Sequence, residues 1–146
     1  MKKPEWYTDA QNYWKNVPPT IDGMLGGFQM IDPIDVKGSL EFIKEYVEKG
    51  IINTEYACDC GAGIGRVTKN FLLRVPFAKV DLVEQTESFV EQAKTSYLAK
   101  EIEQGKIGHV FCQGLQDFTP EEGKYDLIWC QWVLGHLTDG IFIYYF

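Results

Sequence analysis

The sequence predicts an α/β fold whose core is a parallel β-sheet with helices on both faces. Short apolar strands alternate with helical segments from residue 56 onward, and a glycine-rich loop directly follows the first strand. The chain of 146 residues is 45% hydrophobic and 24% charged, which is typical of one ordinary globular domain. Alternation of this kind favours the strand order 3-2-1-4, with ligands at the carboxyl ends of the strands.

Residues 1–50 are predicted to form a helical and loop extension that covers the site. Four residues share one helical face over residues 4–16: Trp6, Ala10, Tyr13 and Trp14. Glycines and Pro33 indicate a loop over 20–38. Ser39 can cap a second helix over 40–49.

Residues 51–139 are predicted to form the sheet and its helices. The predicted strands are 56–60, 78–84, 107–112 and 125–130. The predicted helices are 67–73 and 88–100, with another beginning at 133–137.

Charge and cysteine content exclude several classes of function. The net charge is −7 and lysines and arginines do not cluster, which argues against a nucleic-acid partner. The four cysteines, at 58, 60, 112 and 130, are interpreted as buried core residues, and no metal site is expected. No apolar run is long enough to span a membrane and no secretory leader is evident, so a cytoplasmic or nuclear location is expected. These patterns do not predict an oligomeric state.

The glycine loop is the strongest ligand-binding motif. It reads D-C-G-A-G-I-G-R over residues 59–66, and its glycines let the backbone approach a ligand closely. The dinucleotide fingerprint is G-x-G-x-x-G, whereas this loop is G-x-G-x-G with Arg66 in the place of the third dinucleotide glycine. The loop therefore favours a nucleoside ligand without phosphates.

Two charged residues near this loop suit the two ends of S-adenosylmethionine (AdoMet). Arg66 begins a helix and can hold the carboxylate of the amino-acid moiety bidentately, although a surface arginine in an ion pair is the alternative. Glu84 ends the second strand, 19 residues after Gly65, where an acid can accept hydrogen bonds from both ribose hydroxyls. A solvated surface position is the alternative for Glu84.

Two further segments follow the third and fourth strands. The amides of G-L-Q-D-F at 114–118 can meet an adenine edge, unless this segment is an ordinary turn. The N/D-P-P-Y/F motif of DNA amino-methyltransferases is absent after the fourth strand. Gln131 and Trp132 would instead face the transferred methyl group, with His136 one helical turn beyond.

Four stretches of the chain resemble the protein N-terminal (α-amino) methyltransferases. They are Y-W-K-N-V-P-P-T-I-D-G-M-L-G-G at 13–27, D-C-G-A-G-I-G-R-V-T at 59–68, G-L-Q-D-F-T-P at 114–120 and D-L-I-W-C-Q-W-V-L-G-H-L-T-D at 126–139. The resemblance implies a Rossmann-like class I methyltransferase sheet, AdoMet as cofactor and protein N-termini beginning X-Pro-Lys as substrates. The family usually has Asp where this chain has Glu84, a change that keeps the charge.

The resemblance also implies individual roles. The cofactor would be held by Gly61, Arg66, Glu84, Gln85, Thr86, Leu115, Gln116 and Gln131. The peptide substrate would be contacted by Trp14, Leu25 and Trp132. His136 would be catalytic and would help to handle the proton of the substrate amine.

The match to the family ends at Asp139, and residues 140–146 are expected to be a tail without family resemblance. Family members continue with segments that supply an acidic partner for His136, so we expect the family's C-terminal part to be missing. Strand four would then lie at an open edge, which predicts low stability and little activity for this chain. Three hypotheses stay open: an N-terminal protein methyltransferase, a small-molecule methyltransferase with the same cofactor half, and a non-catalytic truncated cofactor-binding fragment.

Overall fold

A computed structural model describes residues 5–141 and contains a parallel sheet with the strand order β3-β2-β1-β4. The strands are β1 (Tyr56–Cys60), β2 (Lys79–Glu84), β3 (Ile107–Cys112) and β4 (Leu127–Cys130). The expected fold class and strand order are therefore confirmed. The predicted tail lies outside the described residues from position 142 onward.

Six α-helices accompany the sheet within residues 5–138. They are α1 (Glu5–Lys15), α2 (Ile21–Met24), α3 (Asp32–Glu48), α4 (Arg66–Asn70), α5 (Glu87–Gln92) and α6 (Ala99–Glu103). Short 3₁₀ turns cover Gln29–Ile31, Leu72–Arg74, Leu115–Asp117 and Leu134–His136. A π-helical turn at Ala93–Tyr97 divides the helix predicted over 88–100 into α5 and α6.

The central strands are buried on both faces of the sheet. Ala57 and Val80 point into a core formed with the helices, whereas Cys58 and Val83 point into a smaller core on the opposite face. Because side chains alternate along a strand, burial on both faces makes these strands mostly apolar, interrupted by the buried Asp59 and Asp81. This packing fixes the carboxyl ends of β1 and β2 side by side.

The third helix begins eight residues earlier than predicted. α3 starts at Asp32, and Pro33 lies in its first turn, where its fixed φ suits a helix and its missing N–H has no intrahelical acceptor. Gly38 lies inside the helix, at a cost of about 1 kcal/mol relative to alanine. Ser39 is a buried residue within α3 and not its N-cap, so the predicted loop over 20–38 is wrong in its last part.

Two predicted burial patterns also differ from the structure. Tyr7 is the buried residue of α1, whereas Trp6 and Tyr13 are 55% and 61% exposed, so the inward face differs from the predicted one. Cys112 is exposed at the end of β3, which is an edge strand among the described residues. Its interpretation as a core residue is therefore wrong.

β4 is the other edge strand of the described chain. Ile128 in this strand is 45% exposed, which agrees with an edge position for a strand of apolar sequence. None of the helices in the described part of the chain has the length and apolar character needed to cross a membrane.

We expect Gly65→Ala to lower the free energy of unfolding by about 3 kcal/mol. Gly65 has φ 94°, and a Cβ there would lie 2.5 Å from Cδ1 of the fully buried Leu98. Gly50→Ala is the matched control, because Gly50 has φ 66° but open space around its Cβ position. Urea unfolding of both variants separates the cost of backbone strain, which both share, from the cost of the clash with Leu98. Equal losses in the free energy of unfolding would show that the clash contributes nothing.

Candidate active site

A cavity opens at the carboxyl ends of the strands. Its walls are the glycine loop after β1, the end of β2, the segments after β3 and β4, and one face of α1. The residues proposed from sequence that line it are Trp14, Gly61, Arg66, Glu84, Gln85, Leu115, Gln116, Gln131, Trp132 and His136. Leu25 and Thr86 are not among the lining residues, although their neighbours Met24 and Gln85 are.

The glycine loop takes backbone conformations that disfavour larger residues. Gly61 and Gly63 have φ 72° and 59°. A Cβ at Gly61 would collide with the side chain of Val133, and one at Gly63 would collide with the sulfur of Met24. Because Gly61 and Gly63 have no side chain, Val133 after β4 and Met24 at the end of α2 can pack directly against the loop.

Glu84 anchors this loop through both carboxylate oxygens. Its Oε2 accepts a hydrogen bond from Gly63 N at 2.9 Å, and its Oε1 accepts one from Thr86 N at 2.8 Å. Burial raises the pKa of Glu84, while these two backbone N–H groups act in the opposite direction. A carboxylate has about four acceptor positions. Glu84 can therefore hold the loop and still accept hydrogen bonds from a ribose.

Asp59 is a buried carboxylate in the cavity wall that sequence reasoning did not assign to the site. Its Oδ2 accepts hydrogen bonds from Thr68 N at 3.1 Å and Thr68 Oγ1 at 2.7 Å. Burial raises the pKa of Asp59 to about 6, against the lowering effects of Thr68 and the Arg66 charge. Asp59 thus connects the end of β1 to α4.

The ionisation of Asp59 should make stability depend on pH. A folded-state pKa of about 6, against 3.8 as the ordinary value, means that the folded state binds the proton more tightly than the unfolded state. This contribution is fully present below pH 3.8 and is lost as the pH rises through 6. Between pH 3.8 and neutral pH the free energy of unfolding therefore falls by an amount on the order of 3 kcal/mol.

We therefore expect Asp59→Asn to remove this pH dependence while keeping an acceptor for Thr68. The measurement is urea unfolding of both proteins between acidic and neutral pH. Asp9→Asn, at an exposed position on α1, is the control. If the wild-type protein and Asp59→Asn follow parallel stability curves, the buried charge of Asp59 is not the cause.

Arg66 is buried and paired with two carboxylates of α3. Its Nη1 donates to Asp32 Oδ1 at 2.8 Å and to Asp35 Oδ2 at 2.9 Å. An ion pair is therefore present, but Arg66 is a buried residue and not a surface one as in the alternative to ligand binding. Within residues 5–141, however, no acceptor is bonded to Nη2 or Nε, and Arg66 lines the cavity. Both functions fit one guanidinium, which has five N–H donors.

His136 is held by hydrogen bonds at both ring nitrogens. Trp14 Nε1 lies 3.0 Å from His136 Nε2, and His136 Nδ1 lies 3.2 Å from the carbonyl oxygen of Val133. An indole nitrogen can only donate, so this geometry assigns a neutral ring with its proton on Nδ1. The lone pair of Nε2 points toward the indole of Trp14.

Side chains of α1 form hydrogen bonds with the segment that follows β4. Trp6 Nε1 donates to the His136 carbonyl at 2.9 Å. Tyr7 Oη lies 3.1 Å from both the hydroxyl and the backbone nitrogen of Thr138. Together with the Trp14 bond, these contacts form what we call the α1 clasp.

Trp132 has an unusual backbone conformation for its size. Its φ is 58°, and it is the one non-glycine residue with positive φ in the described chain. This conformation costs about 1–2 kcal/mol. The side chain is 74% exposed at the mouth of the cavity, so packing does little to offset that cost.

Several lining residues were not predicted from the sequence. They are chiefly Tyr7, Ala10, Met24, Asp59 and Phe89. Tyr7, Ala10 and Trp14 follow helical spacing, which is a signal that could have identified this face of α1. Met24 and Phe89 carry no comparable signal, because only the tertiary fold brings them to the cavity.

Curated relatives with high identity are N-terminal Xaa-Pro-Lys N-methyltransferases. One from Xenopus laevis is 52% identical over 139 residues, and one from Homo sapiens is 52% identical over 138 residues. Each match covers 92% of this chain and 60% of the relative. The chain thus spans about 60% of the length of these relatives.

Solved structures with similar folds are methyltransferases. A SAM-dependent methyltransferase from Leishmania major has a TM-score of 0.86 and 36% identity, covering 98% of this chain and 55% of that one. Magnesium protoporphyrin IX methyltransferase from Synechocystis has a TM-score of 0.67 and 18% identity, covering 98% and 71%. At that identity the second likeness concerns the fold alone.

A family-level comparison covers nearly the whole chain. The sequence pattern of a family described as "AdoMet dependent proline di-methyltransferase" matches residues 2–146. The resemblance and the family cofactor expected from the sequence are thereby confirmed. The chain belongs to this family of AdoMet-dependent methyltransferases.

Proposed function

We propose that the protein transfers methyl groups from AdoMet to the α-amino group of protein N-termini of the X-Pro-Lys type. The observation that carries the proposal is one cavity with two different ends. All of these residues line the cavity: we assign the glycine loop and Glu84 to a cofactor end, and Trp14, Trp132 and His136 to a peptide end. The names of the 52% identical relatives support the same substrate class.

The residues at the first end suit AdoMet. Glu84 offers acceptor positions for ribose hydroxyls, and the free donors of Arg66 suit a carboxylate. When bound, AdoMet supplies an electrophilic methyl group on a sulfonium. The protein's task is then to align the attacking nitrogen with that methyl group, which is catalysis mainly by positioning.

The residues at the other end suit a cationic peptide terminus. Trp14 and Trp132 offer aromatic faces, which attract cations. An α-amine has a pKa of about 7.7–8.0, so it must lose its proton before its lone pair can attack. His136 is neutral in the assigned tautomer and can accept a proton at Nε2 once the Trp14 indole moves aside.

Methyl transfer to a defined peptide tests the proposal. The protein, AdoMet and a Ser-Pro-Lys peptide are incubated, and tandem mass spectrometry locates the added methyl groups. We expect them on the N-terminal nitrogen, and we expect none on the same peptide with an acetylated N-terminus. Methylation of the acetylated peptide, or of nucleic acid or a small amine in place of the free peptide, would contradict it. A cytoplasmic or nuclear site for this reaction stays a prediction.

A further inference from the structure

Asp35, in the first turn of α3, accepts hydrogen bonds from both ends of the cavity. Its Oδ2 accepts from Arg66 Nη1 at 2.9 Å. Its Oδ1 accepts from Gln131 Nε2 at 2.7 Å and, at the longer distance of 3.4 Å, from Trp132 Nε1. The side chain of Asp35 is 14% exposed, so its bonds to Arg66 and Gln131 are partly shielded from water, whereas the bond from Trp132 is exposed.

Gln131 is oriented so that its donor faces Asp35. Its Oε1 accepts a hydrogen bond from Trp129 Nε1 at 2.7 Å, and the Ser39 hydroxyl lies 3.4 Å from the same oxygen. These contacts define which end of the amide is the acceptor. The other end must then donate, and the carboxylate of Asp35 is its acceptor.

The position of the Trp132 ring depends on its hydrogen bond to Asp35 more than the position of a well-packed ring would. Its backbone has φ 58° and its side chain is 74% exposed. The bond from its indole nitrogen and the fixed Gln131 beside it are therefore the contacts that select one position for the ring.

Asp32 provides a natural comparison within the same helix. It lies three residues earlier and accepts from the same Arg66 Nη1, at 2.8 Å. Its other side-chain hydrogen bond is to Asn70 Nδ2 at 3.4 Å, and it makes none to Gln131 or Trp132. Both aspartates thus bind Arg66, but only Asp35 also binds Gln131 and Trp132 in the segment after β4.

We propose that Asp35 is a positioning residue that sets Gln131 and Trp132 relative to Arg66. The carboxylate does not touch the reacting atoms. It holds Trp132, assigned to the peptide, in a fixed position relative to Arg66 and Gln131, assigned to the cofactor, because one carboxylate accepts hydrogen bonds from all three. This inference rests on the proposed function for its consequence in peptide binding, whereas the local geometry can be tested without any ligand.

The first test uses the ligand-free protein labelled with 5-fluorotryptophan. The Trp132 resonance is assigned with Trp132→Phe, and fluorine NMR spectra of Asp35→Asn and Asp32→Asn are compared with the wild type. We expect the Trp132 resonance to shift and broaden in Asp35→Asn and to stay in place in Asp32→Asn. An unchanged resonance in Asp35→Asn, or equal shifts in both variants, overturns the proposal. If Asp35→Asn does not unfold cooperatively, Asp35→Glu is judged by the same criterion.

The second test separates peptide binding from cofactor binding. Calorimetry measures S-adenosylhomocysteine affinity, and then Ser-Pro-Lys peptide affinity with that ligand saturating. We expect both variants to weaken S-adenosylhomocysteine binding, Asp35→Asn the more because it also frees Gln131, and Asp35→Asn alone to weaken the peptide by at least roughly tenfold. Equal peptide affinities in the two variants overturn the proposal. A wild-type protein that binds no such peptide contradicts the proposed function, while the fluorine spectra still decide the role of Asp35.

Discussion

Glu84→Ala is expected to weaken AdoMet binding by about 10²–10⁴-fold, as follows from losing two hydrogen bonds to a charged acceptor. The same change leaves the buried N–H groups of Gly63 and Thr86 without their acceptor, so the glycine loop loses its anchor. Calorimetry with S-adenosylhomocysteine measures the loss in affinity. Thermal unfolding measures the accompanying loss of stability.

Two variants make the result specific to the position and charge of Glu84. Glu84→Asp keeps the charge and matches the residue usual in the family, so we expect a loss of less than about tenfold. Glu87→Ala removes an exposed carboxylate from the next helix, and we expect wild-type affinity. If Glu84→Ala binds within a few-fold of the wild type, Glu84 is a structural anchor of the loop and not a ribose ligand.

His136→Ala is expected to lower kcat for a Ser-Pro-Lys peptide by about 10²–10⁴-fold, the usual contribution of a positioned general base. The substrate amine must shed a proton, and His136 carries its acceptor nitrogen at the peptide end of the cavity. Steady-state kinetics from acidic to alkaline pH measure the effect. The deficit should shrink at high pH, where the amine is already neutral in solution.

His109→Ala is the matched control for this measurement. His109 is the other histidine of the chain, and its exposed ring stacks on Phe111, which does not line the cavity. We expect its kcat to equal that of the wild type. If His136→Ala keeps the wild-type kcat and the same pH profile, the amine reaches the site already deprotonated and His136 has no role as a base.

The sheet could be predicted from the sequence because its signals are local. Strands β1 and β3 have the predicted bounds, since short apolar runs end there at a glycine or a polar turn. The start of α3 differs from the predicted one because Pro33 favours a loop by residue type, although a proline in the first turn is compatible with a helix. Whether a proline starts or interrupts a helix therefore depends on its position as well as on its residue type.

The polar connections of the site could not be predicted in the same way. Asp35 bonds to Gln131 across 96 positions of the chain, and Asp59 binds Thr68 on the following helix. An aspartate near a helix start or a strand end is usually solvated, so residue type carries no signal for such contacts. The partners of Asp35 and Asp59 can be identified only from the three-dimensional arrangement of the strands and helices.

The α1 clasp makes α1 a part of the fold that can open independently of the sheet. α1 buries one residue, Tyr7, and its described links to the segment after β4 are a few hydrogen bonds from aromatic side chains. Detaching this helix leaves the sheet intact, so we expect its opening free energy to lie below that of global unfolding. Amide protons of α1 should accordingly exchange with solvent long before those of β1 and β2.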